Sequence, residues 1–126
     1  MTARDVYERA MALIDEIEED GSISAETATG YAGKAPRIID VLHRELALCE
    51  GVTLTADIED LDDMLEVSDD TAARIMPYGL AASFALADKN GDMHGDYSYM
   101  YRKLMRTIRS DEVGLTDEYD VLDGLL

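Results

Sequence analysis

Apolar residues recur at intervals of three and four along three stretches of this chain, and that spacing limits its possible folds more than any other feature. The stretches are residues 5–19, 36–51 and 97–108. Because an α-helix turns once every 3.6 residues, the spacing places these side chains on one face of each helix. A strand requires alternation instead, and only residues 52–55 are compatible with one. We therefore predict an all-α fold, a small bundle of about five helices.

Residues that begin and end helices support this assignment. Thr2 and Asp5 have the spacing of a capping box at the start of the first helix, and Gly21 is placed to end it. Pro36 suits the first turn of the third helix, because its missing N–H is not needed there. Gly51 follows the last apolar position of that helix. The side chains predicted to be buried along it are Ile38, Ile39, Leu42, Leu46 and Cys49.

A central helix is predicted to follow Ser68, which is a good N-cap, and to reach about Ala87. Pro77 lies inside it, and the proline ring disturbs the carbonyl group four residues earlier. We therefore expect a kink or a break at Met76. Small residues beyond the proline, among them Gly79, allow another helix to approach closely.

The segments between these helices are less regular. Residues 25–33 are predicted to form a short second helix, and residues 58–65 to form one or two helical turns. Residues 88–95 are predicted to be a polar loop, with Asp96 as the N-cap of the final helix. Together, residues 1–110 are predicted to form a single helical domain. Residues 111–126 are predicted to be an acidic tail, of a kind that is often mobile until a partner binds.

The charge of the chain is strongly negative and unevenly placed. Among 126 residues there are 11 Lys and Arg against 28 Asp and Glu, a formal net charge of −17. Every charged residue at positions 57–70 is acidic, whereas every charged residue at positions 97–110 is basic. The excess of acids argues against direct binding to nucleic acid or to an anionic membrane, since both depend on clustered Lys and Arg. No apolar run approaches the length of a membrane span, so we expect a soluble intracellular protein.

Motifs for catalysis or metal binding are weak. Residues 88–96 resemble the start of a calcium-binding loop, but Met93 stands where the sharp turn needs glycine and Tyr99 where a closing glutamate is needed. His43 lies one residue past the apolar stripe of the third helix and is predicted to be a boundary residue. No metal-ligand spacing links it to His94. We therefore predict a protein that is not an enzyme and has no cofactor.

Residues 54–108 resemble the head-to-tail connector, or adaptor, proteins of tailed bacteriophages and prophages. The resemblance is carried by an acidic segment that precedes the word Met-Pro-Tyr-Gly-Leu-Ala-Ala at residues 76–82, an aspartate-rich loop, and a helix with regular tyrosines. It implies a virion structural protein that forms a homo-oligomeric ring beneath the portal and binds portal and tail proteins. It also implies a location in the bacterial cytoplasm during assembly and in the virion afterwards.

Ring contacts join two different faces of neighbouring subunits, so the uneven charge suggests a hypothesis: the acidic and basic surfaces meet between neighbours. The residues assigned to these surfaces are Asp57, Asp60, Asp62, Asp63, Arg102, Lys103, Arg106 and Arg109. Alternatively, the two surfaces pair within one subunit or face water. Pro77 and Tyr78 either shape an interface or only pack the central helix against the helix of Tyr97 and Tyr101.

Another function is compatible with the same composition. An acidic protein-interaction module, such as a DNA mimic, uses carboxylates in place of phosphates. This alternative stays open beside the connector, because a solvated acidic surface accounts for the same charge.

Overall fold

The computed structural model describes residues 1–14, 28–87 and 90–113. They form five α-helices and one π-helical turn, which we label in chain order: α1 (Ala3–Leu13), the π-helical turn (Ala28–Ala32), α2 (Ala35–Glu50), α3 (Asp69–Arg74), α4 (Met76–Ala87) and α5 (Gly91–Val113). Within these ranges the only β-type pairing is an isolated bridge between Thr2 and Met64. The predicted all-α bundle is confirmed. Gly21, residues 25–27 and the tail beyond residue 113 lie outside the described residues.

The predicted start of the first helix and both predicted ends of the third helix are confirmed. Helix α1 ends at Leu13, with Ile14 as its C-cap, so the prediction that it extends to residue 19 is wrong. The Thr2 backbone N–H donates to Asp5 Oδ2 at 2.9 Å, and the Asp5 N–H donates to Thr2 Oγ1 at 3.3 Å, which completes the capping box of α1. Pro36 lies in the first turn of α2. Gly51 ends α2 with φ of 73°, a left-handed conformation that glycine adopts without steric cost.

The predicted break in the central helix is also confirmed, and it divides the segment into α3 and α4. The Ser68 side chain accepts a hydrogen bond from the Thr71 N–H and caps α3. That helix ends at Arg74, and α4 begins at Met76, so Pro77 is the second residue of the new helix. A proline is tolerated there because the N–H groups of the first turn have no partner within the helix.

Helix α4 lies at the centre of the bundle and packs against α1, α2 and α5. It is apolar around most of its circumference, and Phe84 and Leu80 are fully buried. At Gly79 the backbone of α4 comes so close to Leu42 of α2 and Tyr101 of α5 that a Cβ there would lie 2.9 Å from each side chain. The predicted close approach at the small residues is therefore present. The Tyr101 hydroxyl donates to Glu45, which joins α5 to α2 as well.

Residues 52–67 form no helix, so the prediction of helical turns at 58–65 is wrong. Ile58, Leu61 and Leu65 are buried nevertheless, at 4%, 7% and 7% exposure. The physical reason is the acidic composition of the segment. Short carboxylate side chains bind nearby backbone N–H groups and stabilise turns at the expense of helix.

The start of the final helix was also predicted wrongly. Helix α5 begins at Gly91, where Asn90 Oδ1 accepts a hydrogen bond from the Met93 N–H at 3.2 Å. Asp96, the expected N-cap, lies inside the helix with Asp92. Both residues are therefore held in helical geometry, and no group of three or more His, Cys, Asp or Glu side chains in the described ranges is arranged to hold a metal ion. Nor does any helix there combine the length and apolar character required to cross a bilayer.

Candidate interaction surface

The candidate acidic residues all lie on the loop formed by residues 52–67, which we call the acidic loop. Two carboxylates fix the backbone of the loop, one on α2 and the other near the end of the loop itself. Asp40 of α2 accepts a hydrogen bond from the Ile58 N–H at 2.8 Å. Glu66 accepts from the N–H groups of Thr55, at 3.0 Å, and Ala56, at 3.3 Å. These contacts close the loop on itself and attach it to α2.

Two of the candidates hold the middle of the acidic loop. Asp63 Oδ2 accepts from the N–H groups of Glu59, at 2.8 Å, and Asp60, at 3.0 Å. Asp60 Oδ1 in turn accepts from the Asp62 N–H at 2.8 Å. Because short carboxylate side chains that accept from nearby backbone N–H groups stabilise turns, Asp60 and Asp63 have a structural role that sequence reasoning did not assign to them.

The other two candidates form ion pairs with arginines of the same subunit. Asp62 pairs with Arg4 of α1 at 3.0 Å, and Asp57 pairs with Arg44 of α2. The side chains of Asp62 and Asp57 remain 78% and 61% exposed. Surface ion pairs of this kind contribute at most about 1 kcal/mol each. They hold the loop in place while leaving its carboxylates accessible to another molecule.

The basic candidates have no such partners. Arg102, Lys103 and Arg106 are exposed on α5 and form no ion pair with any residue of the described ranges. The opposite face of the helix, which includes Tyr101, packs on the core. The side chain of Arg109 lies outside the described residues. The acidic loop therefore pairs with Arg4 and Arg44 rather than with these three side chains.

Apolar side chains are exposed beside the acidic loop. On α2, Leu48 is 82% exposed and Val41 is 64% exposed. Their spacing of seven residues places them on the same face of the helix, with Arg44 between them. Since Arg44 binds Asp57, this apolar pair lies next to the acidic candidates. Sequence reasoning missed Leu48 and Val41, although both stand off the buried stripe of an otherwise clear amphipathic pattern.

Pro77 and Tyr78 serve packing. Pro77 is buried, and the Tyr78 ring lies against the Tyr97 ring with centroids 6.4 Å apart. The Tyr97 hydroxyl donates to the Leu13 carbonyl oxygen at 2.6 Å. Tyr78 therefore packs against the helix of Tyr97, as one of the two interpretations predicts, and a role of these residues in an interface stays a prediction. Both residues also line an open cleft, together with Arg9, Ala12, Leu13, Ala73 and Arg74.

A second set of contacts fixes the end of the acidic loop to the start of α3. The Glu50 carboxylate accepts hydrogen bonds from the Ser68 N–H at 2.9 Å, the Ser68 hydroxyl at 2.7 Å and the Thr71 hydroxyl at 2.5 Å. Burial raises the pKa of Glu50, but the hydrogen bonds from Thr71 and Ser68 outweigh burial and hold its pKa below the ordinary value. The Glu50 carboxylate therefore serves as a structural hydrogen-bond acceptor and not as a group that transfers protons.

His43 is fully buried, so its prediction as a boundary residue is wrong. Its Nε2 accepts a hydrogen bond from the Glu66 N–H at 2.8 Å and a longer one from the Val67 N–H at 3.4 Å. Burial lowers the pKa of the imidazole. The sequence carried a signal for this position, because His43 lies four residues after the buried Ile39 and four before the buried Ala47.

No family model, curated protein or solved structure matches this chain.

Proposed function

We propose that this chain is a non-enzymatic head–tail connector subunit of a tailed phage or prophage, which assembles into a ring and joins the portal to the tail. The observation that supports the proposal most is the division of its surface. The acidic loop is fixed in the subunit by Arg4 and Arg44, while Arg102, Lys103 and Arg106 on α5 are exposed and unpaired within the described ranges. Complementary faces of this kind are what a heterologous ring contact requires.

The apolar residues beside the acidic loop fit the same role. Protein interfaces combine an apolar centre with a polar rim, and Leu48 and Val41 supply exposed apolar area next to Asp57. The acidic loop and this part of α2 together form what we call the acidic face. We propose that the acidic face of one subunit meets the basic face of α5 on the next.

The motif that carries the family resemblance has a defined place in the fold. Residues 76–82 form the first turns of α4, where Gly79 allows Leu42 and Tyr101 to approach. The motif thus organises the packing of α2 and α5, the two helices that carry the proposed contact surfaces. These residues therefore help to set the geometry in which the bundle presents the two surfaces.

A charge-reversal experiment tests the contact. The double variant Arg102→Glu with Arg106→Glu is expected to weaken self-association, measured by native mass spectrometry over a range of protein concentrations and by sedimentation velocity. Lys34→Glu with Arg37→Glu is the matched control, because both residues are also exposed and form no ion pair in the described ranges. Equal loss in the control and the double variant would show that net charge, not the α5 face, governs association.

A rescue variant sharpens the same test. Glu59 is exposed on the acidic loop, and no side-chain bond of it is found within the described ranges. Glu59→Lys is therefore expected to restore association when it is mixed with the α5 double variant, if the two faces meet. Failure of Glu59→Lys to restore self-association in this mixture would contradict the pairing of the two faces.

The acidic-module alternative is favoured by the exposure of the Asp57 and Asp62 carboxylates, since a DNA mimic presents carboxylates in place of phosphates. A DNA mimic would compete with DNA for a basic DNA-binding protein in a fluorescence anisotropy assay. The connector would instead leave such a complex intact while still associating with itself.

A further inference from the structure

Three acceptor side chains of α2 hold the backbone of the acidic loop and of the adjoining Ser68, and one of them is a buried imidazole. Asp40, His43 and Glu50 follow one another along α2 and accept hydrogen bonds from the N–H groups of Ile58, Glu66 and Ser68, respectively. Two of these acceptors are carboxylates, which keep their charge down to strongly acidic pH. The third acceptor is Nε2 of the neutral His43 ring, and this atom can no longer accept a hydrogen bond once it has gained a proton.

The geometry fixes the tautomer of His43. Because Nε2 accepts from the Glu66 and Val67 N–H groups, the proton of the neutral ring is on Nδ1. Nδ1 is itself buried and has no hydrogen-bond partner within the described ranges. A second proton would therefore place an N–H on Nε2, facing two backbone donors, and would charge a ring that has no contact with solvent.

We propose that His43 is a proton-sensitive clip, which holds the acidic loop on α2 when the ring is neutral and releases the loop when the ring is protonated. The charged groups that act on the ring are Glu66 on the loop and Asp40, Arg44 and Glu50 on α2. Three of these are carboxylates that favour the imidazolium. Burial opposes them and has the largest effect.

The direction of the effect follows from linkage. In the released loop, His43 takes its ordinary pKa of 6.5, whereas burial lowers that pKa in the clipped form. Protons therefore bind the released form more tightly, and the equilibrium for release rises as the pH falls below 6.5. The increase from neutral pH to pH 5.5 is at most about tenfold, and it ends once the clipped form is also protonated.

Hydrogen exchange measures this release directly. The protection factors of the Glu66 and Val67 amides are expected to fall between about pH 7.5 and pH 5.5, by at most about tenfold. In His43→Gln the amide oxygen replaces Nε2 as an acceptor that does not titrate, so the protection factors should stay constant across this range. His94→Gln is the matched control, since His94 lies on α5 with Nδ1 next to the Ala82 carbonyl oxygen, and the pH dependence should persist.

Nuclear magnetic resonance of the two rings in the unaltered protein gives a result that does not depend on any variant. We expect His43 to be the Nδ1–H tautomer, with a pKa below its ordinary value of 6.5. A His43 ring with an ordinary or raised pKa, or amide protection that is constant from pH 7.5 to pH 5.5, would overturn the proposal.

Release of the loop has a consequence for assembly that rests on the proposed function. It would displace Asp57 and Asp62 from the acidic face, so self-association should weaken below pH 6.5 in the unaltered protein and not in His43→Gln. The exchange and ring measurements use the isolated chain. They therefore test the clip even if the chain forms no ring.

Discussion

At the scale of single residues, the structure depends on a few side chains whose roles differ from what their type suggests. Acids of the loop act as acceptors for backbone N–H groups, and a histidine lies in the core. The sequence showed that Gly79 lies among small residues, and a close helix approach was predicted from that. It did not show that Asp63 and Glu66 would bind backbone groups, because such partners are set by the path of the loop and not by spacing along the chain.

Gly79→Ala tests the close approach. The added Cβ would lie 2.9 Å from Leu42 Cδ2 and 2.9 Å from Tyr101 Cε1, so both side chains must move. We expect a loss of roughly 1–3 kcal/mol in the free energy of unfolding from this overpacking. The measurement is urea denaturation monitored by circular dichroism.

The control for this variant is Gly95→Ala on α5, where an added Cβ meets nothing within 4 Å. It removes a flexible residue from a helix and should stabilise the protein by about 0.5–1 kcal/mol. A loss of stability in Gly95→Ala equal to that in Gly79→Ala would contradict the packing argument.

The carboxylates that accept hydrogen bonds predict a dependence of stability on acid pH. Burial raises the pKa of Asp40 and Glu50, but hydrogen bonds from Ile58, Thr71 and Ser68 lower both below their ordinary values of 3.8 and 4.5. Because the unfolded chain then binds protons more tightly, their stabilisation is present above pH 4.5 and is lost as the pH falls through the lowered pKa values. The urea concentration at the midpoint of unfolding should decrease below about pH 4.5, and this decrease should be smaller in Glu50→Gln.

At the scale of elements, regular helices were predictable from the sequence and the acidic loop was not. The capping box at Thr2, the proline in the first turn of α2 and the break before Pro77 all follow from local rules about N–H groups and steric contacts. Residues 58–65 also have helical spacing, but long-range contacts from α2 determine their conformation. Local periodicity carries no information about partners such as Asp40, which lies 18 residues from Ile58 along the chain.

Ser68→Ala tests the junction between the acidic loop and α3. The variant removes the cap of the Thr71 N–H and one of the donors to Glu50. We expect a loss of about 1–2 kcal/mol in the free energy of unfolding. Thr53→Ala is a suitable control, since Thr53 is exposed on the same loop, and its stability should equal that of the unaltered protein.

At the scale of the whole molecule, the uneven charge seen in the sequence becomes two separate surfaces. The arginines that pair with the acidic loop come from α1 and α2, which the sequence did not indicate. The basic residues of α5 remain available for another molecule. The exposed candidates are Asp57, Asp60, Asp62, Arg102, Lys103 and Arg106. The internal partners of the acids and the exposed apolar pair on α2 were found only in the structure.

Leu48→Ser tests the apolar part of the acidic face. Leu48 is 82% exposed, so its replacement should change the free energy of unfolding by less than about 0.5 kcal/mol. Self-association should nevertheless weaken about tenfold or more if Leu48 lies in a contact between subunits, as expected for a central apolar side chain. Leu86→Ser, at a site 59% exposed on α4, is the control. Equal association by both variants and the unaltered protein would remove Leu48 from the interface.

The central claim is that this chain joins a portal to a tail as a ring of identical subunits. Sedimentation velocity of the chain mixed with the portal protein encoded in the same genome tests it most directly. The account predicts that the chain sediments with the portal as a single large complex with several copies of the chain, and that Arg102→Glu with Arg106→Glu reduces that complex. A chain that remains monomeric at high concentration and sediments separately from the portal would contradict the claim.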